Sequence, residues 1–140
     1  MEIAQLPPAQ SFDAPPPVGG ERRTWRAKFR DAFRGLKLGI RGHSSFFVHF
    51  FFAALVVASA IVLHCDHVEW GLLLVCIGMV LTAELFNSAL ETLFRGLDEE
   101  TRPRVKACVD IAAGAVLLAS VVAAIIGSLV LLSRLLAILS

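Results

Sequence analysis

Glu84, Asn87 and Glu91 are spaced by three and four residues inside an apolar stretch. Leu72-Leu-Leu-Val-Cys-Ile-Gly-Met-Val-Leu81 precedes them, and Leu90, Leu93 and Phe94 lie among and after them. That spacing puts the three side chains on one stripe of a helix. A carboxylate near the middle of a membrane helix costs roughly 2.5–3.5 kcal/mol to insert. Two carboxylates and an amide on one face therefore point to catalysis, an ion or a polar substrate. A carboxylate in lipid takes up a proton or finds a partner, and Glu84 so placed suits a general base that removes a proton from an alcohol. Asn87 would hold that carboxylate or a phosphate oxygen. Glu91, nearer water, would offer oxygen to a divalent cation. Three other readings of the stripe compete: hydrogen-bonding glue between helices, the lining of a proton or ion path, and a Glu91 that sits idle in water.

The elements that must position this stripe follow from composition and charge. The chain has the length of one domain at 140 residues. At 56% apolar residues and a mean hydropathy of +0.72 it is too apolar for an ordinary soluble domain. Its charges are segregated. Eight Lys or Arg precede Gly42 (Arg22, Arg23, Arg26, Lys28, Arg30, Arg34, Lys37 and Arg41), and none follows until Arg95.

Met1 to Gly20, with its prolines and paired glycines, reads as a disordered arm. It lacks the basic start and apolar core of a signal peptide. Trp25, Phe29, Ala32, Phe33, Leu36 and Ile40 recur at helical intervals with bases mostly on the other face. This predicts an amphipathic helix over about 21–42, suited to an anionic membrane surface. A nucleic-acid-binding arm is the alternative, and the adjacent spans argue against it. Three membrane spans follow, at about 46–63, 70–94 and 110–132. Trp70 is expected to open the second helix in the aromatic belt, and Asp110 to open the third. A charged connection, Asp98 to Lys106, lies between them. Small residues such as Ala112, Ala113, Gly114 and Ala115 allow close helix approach in lipid. His49 in the first span reads as a hydrogen-bonding group between helices. The expected fold is an all-α membrane protein with one surface helix and three transmembrane helices.

Topology follows from the bases. Eight precede the first span and four lie between the second and third (Arg95, Arg102, Arg104 and Lys106), whereas the first turn has none and the tail only Arg134. The excess of positive charge predicts a cytoplasmic N-terminus and an outward C-terminus. The three cysteines, Cys65, Cys76 and Cys108, lack metal-ligand spacing and read as reduced apolar residues. Three spans carrying a charged stripe are hard to shield from lipid alone, which favours oligomerisation.

Glu84-Leu-Phe-Asn-Ser-Ala-Leu-Glu91, followed nineteen residues later by Asp110-Ile-Ala-Ala-Gly-Ala-Val116, resembles the prokaryotic diacylglycerol kinase and undecaprenol kinase family. That family's signature runs Glu-x-x-Asn-[Ser/Thr]-Ala-[Ile/Leu]-Glu, then Ala-Lys-Asp and a run of small residues. The resemblance extends roughly from Phe29 to Gly127. It implies a homotrimeric enzyme of the bacterial cytoplasmic membrane that uses magnesium and moves the γ-phosphoryl group of ATP to a membrane lipid hydroxyl. Carried over by motif, Glu84 matches the general base and Asn87 an active-site polar residue. Glu91 matches a metal-binding carboxylate, Asp110 a nucleotide-site residue and Glu100 an acidic residue of the nucleotide loop.

The chain departs from the family pattern at three positions. His43 stands where the family has a second metal-binding glutamate, and neutral imidazole is a poor ligand for hard Mg²⁺. Val109 replaces the lysine of Ala-Lys-Asp, and Arg95 replaces an aspartate. Lys106, one turn before Val109 and about 60° off its face, is a candidate replacement for phosphate. Asp31, Asp98 and Glu99 are candidates for the missing oxygen. The resemblance implies a lipid kinase acting on diacylglycerol or undecaprenol. The substitutions motivate the alternative of a weak or inactive member serving as a membrane scaffold or sensor.

Overall fold

The computed structural model describes residues 24–42 and 45–139, which form four helices: α1 (Trp25–Gly42), α2 (Ser45–Val62), α3 (His67–Arg95) and α4 (Arg102–Leu139). The proline-rich arm, the expected first residues of the surface helix (Glu21 to Arg23) and His43 lie outside the described residues.

Local chemistry sets each helix end. Thr24 precedes α1 and its Oγ1 accepts from the Ala27 N–H at 3.4 Å. α2 closes on His64, whose φ of 51° places it in the left-handed region. There His64 N–H donates to the Ile61 carbonyl at 3.1 Å and Cys65 N–H to the Ala60 carbonyl at 3.0 Å, a pair of bonds that caps the last turn. Asp66 starts α3. Its Oδ1 accepts from the N–H groups of Val68 and Glu69, while the Glu69 carboxylate accepts from the Asp66 N–H at 2.7 Å. This reciprocal cap begins the helix at His67, one turn before Trp70, because two side chains satisfy the free N–H groups that periodicity ignores.

α4 also starts earlier than the sequence predicts. The Asp98 carboxylate accepts from both the N–H and the Oγ1 of Thr101, which turns the chain into a helix at Arg102. Pro103 falls in the first turn, where its missing N–H has no partner to lose. The charged connection therefore shrinks to residues 96–101, and Arg104, Lys106 and Asp110 are helical. α4 has 38 residues, about 57 Å at 1.5 Å each, far more than the roughly 30 Å hydrocarbon core.

α3 and α4 pack most extensively, as neighbours running in opposite directions, with α2 against both and α1 against α3. Ala60, Leu73 and Val130 are the buried centre of the far end, supported by Val56, Trp70 and Ile126. Arg134 ties that end together: its guanidinium donates to the His64 carbonyl at 2.6 and 3.2 Å and lies 3.5 Å from Glu69. At the opposite end Gly39 of α1 meets α3. A Cβ there would lie 2.8 Å from Leu85 Cδ2, so only glycine permits this approach without moving Leu85.

Three helices, α2, α3 and α4, are long and apolar enough to cross a membrane. Their outward faces carry large apolar side chains such as Phe47, Phe51, Leu74 and Leu129. In water this surface would be prohibitive; in lipid it costs nothing. α1 differs. Trp25, Phe29, Phe33 and Leu36 are exposed along it, and Lys28 Nζ lies 4.7 Å over the Trp25 ring.

Candidate active site

The stripe on α3 is the most polar buried feature among the described residues. Glu84 is 2% exposed, Asn87 7%, and Ser88 is fully covered. Ser45, in the first turn of α2, donates its Oγ–H to Glu84 Oε1. His49, one turn further on, places Nε2 3.7 Å from Glu84 Oε2. The carboxylate thus faces the N-terminal end of α2, where unpaired backbone N–H groups and the helix dipole favour negative charge. This explains how an acid is buried here. The sequence predicts a hydrogen bond between helices at His49; it faces Glu84 across α2 and α3, but at 3.7 Å, beyond hydrogen-bond length.

Depth follows from helical rise. Glu84 is fourteen residues beyond Trp70, about 21 Å along the axis, and Glu91 about 31 Å. Glu84 therefore lies about two turns deeper along α3 than Glu91, measured towards Trp70.

Asn87 is bonded to the second carboxylate of the stripe. Its Nδ2 donates to Glu91 Oε1 at 3.0 Å, while Arg95 Nη2 donates to Glu91 Oε2 at 3.1 Å. Among the buried side-chain atoms of the described residues, Asn87 Oδ1 and Ser88 Oγ lack a hydrogen-bond partner. Buried orphans of this kind are rare and call for an explanation. Both lie on the stripe, beside the carboxylate that Ser45 and His49 hold. An acceptor and a hydroxyl so placed fit a polar group that enters the site.

The other expected site residues, Glu100, Lys106 and Asp110, lie around the start of α4, and of these Lys106 and Asp110 are in contact. Lys106 Nζ pairs with Asp110 at 3.1 and 3.4 Å across one turn of α4, and Glu100 is exposed in the preceding turn. Asp98 is committed to the Thr101 backbone and hydroxyl, and those bonds hold its carboxyl below the usual range. Among the described residues there is no group of three or more His, Cys, Asp or Glu that could hold a metal. Glu91, the expected metal carboxylate, accepts from Asn87 on one oxygen and from Arg95 on the other.

Sequence reasoning missed Ser45 and Ser88. Ser88 had a signal, since it lies four residues after Glu84 on the same stripe. Ser45 had none, because thirty-nine residues separate it from Glu84.

Residues 30–131 match the family model described as prokaryotic diacylglycerol kinase. The chain belongs to that family. Two relatives agree. A diacylglycerol kinase of Synechocystis sp. is 32% identical over 112 residues, covering 79% of this chain and 64% of the relative. An undecaprenol kinase of Bacillus subtilis is 32% identical over 107 residues, covering 76% of this chain and 87% of the relative. The chain thus spans less than two thirds of the cyanobacterial relative and most of the Bacillus one. No solved structure matches it significantly. Membership of the diacylglycerol kinase family, with three membrane-length apolar helices, makes this an integral membrane protein.

Proposed function

We propose that this protein is a lipid kinase that transfers the γ-phosphoryl group of ATP to the hydroxyl of a membrane lipid, diacylglycerol or undecaprenol. The observation that carries the reading is Glu84: a carboxylate buried in a membrane-spanning body, gripped by Ser45 and His49, on a stripe that ends at the interface with Glu91.

In this mechanism the lipid hydroxyl enters from the membrane side and meets Glu84. Ser45 and His49 fix the carboxylate so that it accepts the proton as the lipid oxygen attacks the γ-phosphorus. The new O–P bond forms in line as the bond to the bridging oxygen breaks, and ADP leaves. Asn87 orients Glu91 through Nδ2 and offers Oδ1 to an incoming group. Glu91 and Asn87 Oδ1 would hold Mg²⁺, which when bound offsets the charge on the phosphates. Glu100, Lys106 and Asp110, on the turn and first turns of α4, form the nucleotide side of the site. The protein lies in the bacterial inner membrane with its N-terminus cytoplasmic and C-terminus outside, α1 lies on the membrane surface, and three copies assemble.

The test is purified protein in detergent with labelled ATP, Mg²⁺ and either dioleoylglycerol or a polyprenol. Labelled lipid is expected with wild type, and Glu84→Gln lowers it by on the order of 10²–10⁴. One observation favours a scaffold instead: Arg95 sits on Glu91 in an ion pair. Absence of turnover with both lipids across Mg²⁺, Mn²⁺ and Zn²⁺ would favour that second reading.

A further inference from the structure

The Glu91 carboxylate carries a donor on each oxygen, and the two donors differ in what releasing them requires. Asn87 is buried and fixed by its helix. The Arg95 side chain is 63% exposed, long, and joined to Glu91 by one surface contact one turn away. Exposed pairs of this spacing cost little to separate. If Glu91 is to face a nucleotide's metal, as the proposed function requires, Arg95 is the group that leaves.

Its destination follows from what stays in place. Arg102 donates Nε to the Leu97 carbonyl and Nη2 to the Arg95 carbonyl, both at 3.1 Å, which pins the backbone beneath Arg95. Only the side chain can swing. Lys106, in the second turn of α4, is held by Asp110. A guanidinium freed beside a polyphosphate makes paired, charge-assisted hydrogen bonds to it, which an ammonium cannot reproduce.

We propose that Arg95 is a phosphate-binding residue of the nucleotide site, parked on Glu91 until a nucleoside triphosphate arrives. This rests on the kinase reading and adds a residue to it. The same side chain that screens Glu91 in the empty site then contacts the phosphates in the filled one. The switch gives nucleotide and metal a shared entry step, because each removes the other's obstacle.

The experiment measures binding of a non-hydrolysable ATP analogue to the full chain in detergent, as a function of Mg²⁺, for wild type, Arg95→Ala and Arg95→Lys. Arg95→Ala is expected to weaken the analogue about tenfold, with Lys recovering only part. In the same titration the Mg²⁺ concentration needed at saturating analogue is expected to fall, because the competing cation is gone. Unchanged analogue affinity in Arg95→Ala overturns the proposal, even if the Mg²⁺ requirement falls, since Arg95 is then a competitor alone. With lipid phosphorylation intact in wild type, that result leaves the kinase reading standing. Wild type that binds no analogue under any divalent ion overturns both.

Discussion

At the scale of single residues, the site separates an acid that must be held from polar atoms that wait. Glu84 is satisfied by Ser45 and flanked by His49, whereas Asn87 Oδ1 and Ser88 Oγ are buried and unpartnered. A stripe that served only to glue helices would leave no such orphans, since glue works by pairing. Asn87→Leu discriminates. It removes one orphan and one bond to the half-exposed Glu91, so stability should change by no more than about 1 kcal/mol. Turnover should fall on the order of a hundredfold. Thermal unfolding and lipid phosphorylation on the same preparation check both halves, and a large stability loss with proportionate activity would return the stripe to a structural role. The residues of the stripe were legible from spacing alone, as Ser88 should also have been. The grip on Glu84 was not, because Ser45 and His49 reach it from another helix.

At the scale of elements, caps and close approaches decide where helices start and how they meet. Asp66 caps α3 through the Glu69 and Val68 N–H groups, and the first of these contributes most to holding its carboxyl below the ordinary range. A carboxyl lowered in the folded state adds stability above its unfolded value, and that contribution is lost as pH falls through the folded value. Asp66→Asn keeps a capping oxygen without a titrating group. The variant should therefore lose less stability than wild type between neutral and strongly acid pH, as followed by circular dichroism in detergent. The junction of α1 and α3 gives a second prediction. Gly39→Ala asks only that Leu85 shift its flexible end, whereas Gly39→Leu fills the space α3 occupies. Leu85 neighbours Glu84, so the Leu variant should expose α1 to protease and reduce turnover, while Ala leaves both near wild type. Hydrophobic periodicity found all four helices, yet placed the starts of α3 and α4 too late. Capping side chains and Pro103 belong to the helix by hydrogen bonding and backbone geometry, which an apolar pattern does not report.

At the scale of the molecule, the chain carries its own probes of orientation and assembly. Cys65 lies in the α2–α3 turn and Cys108 is exposed near the start of α4, at opposite ends of the spans, while Cys76 is buried. With the N-terminus cytoplasmic, a membrane-impermeant maleimide should label Cys65 in intact cells and reach Cys108 only after lysis. Burial, and next the Glu69 carboxylate, push the Cys65 thiol up, so its labelling should quicken as pH rises. The reverse pattern of access would invert the topology. Native mass measurement in detergent should give three copies, and a monomer retaining full activity would remove the need for partners at the site.

What membranes impose is legible in the residues of this chain. A chain this apolar must place long helices in lipid, and polar residues within them are tolerated only where they serve a purpose, so spans, stripe and family motif were all readable from spacing. Only the tertiary structure decided which groups stabilise the buried acid, which polar atoms stay unpartnered, and that Arg95 rests on Glu91. Those depend on distances between side chains from separate helices or on the rotamers chosen once the helices pack, and neither is encoded in the period of any single element.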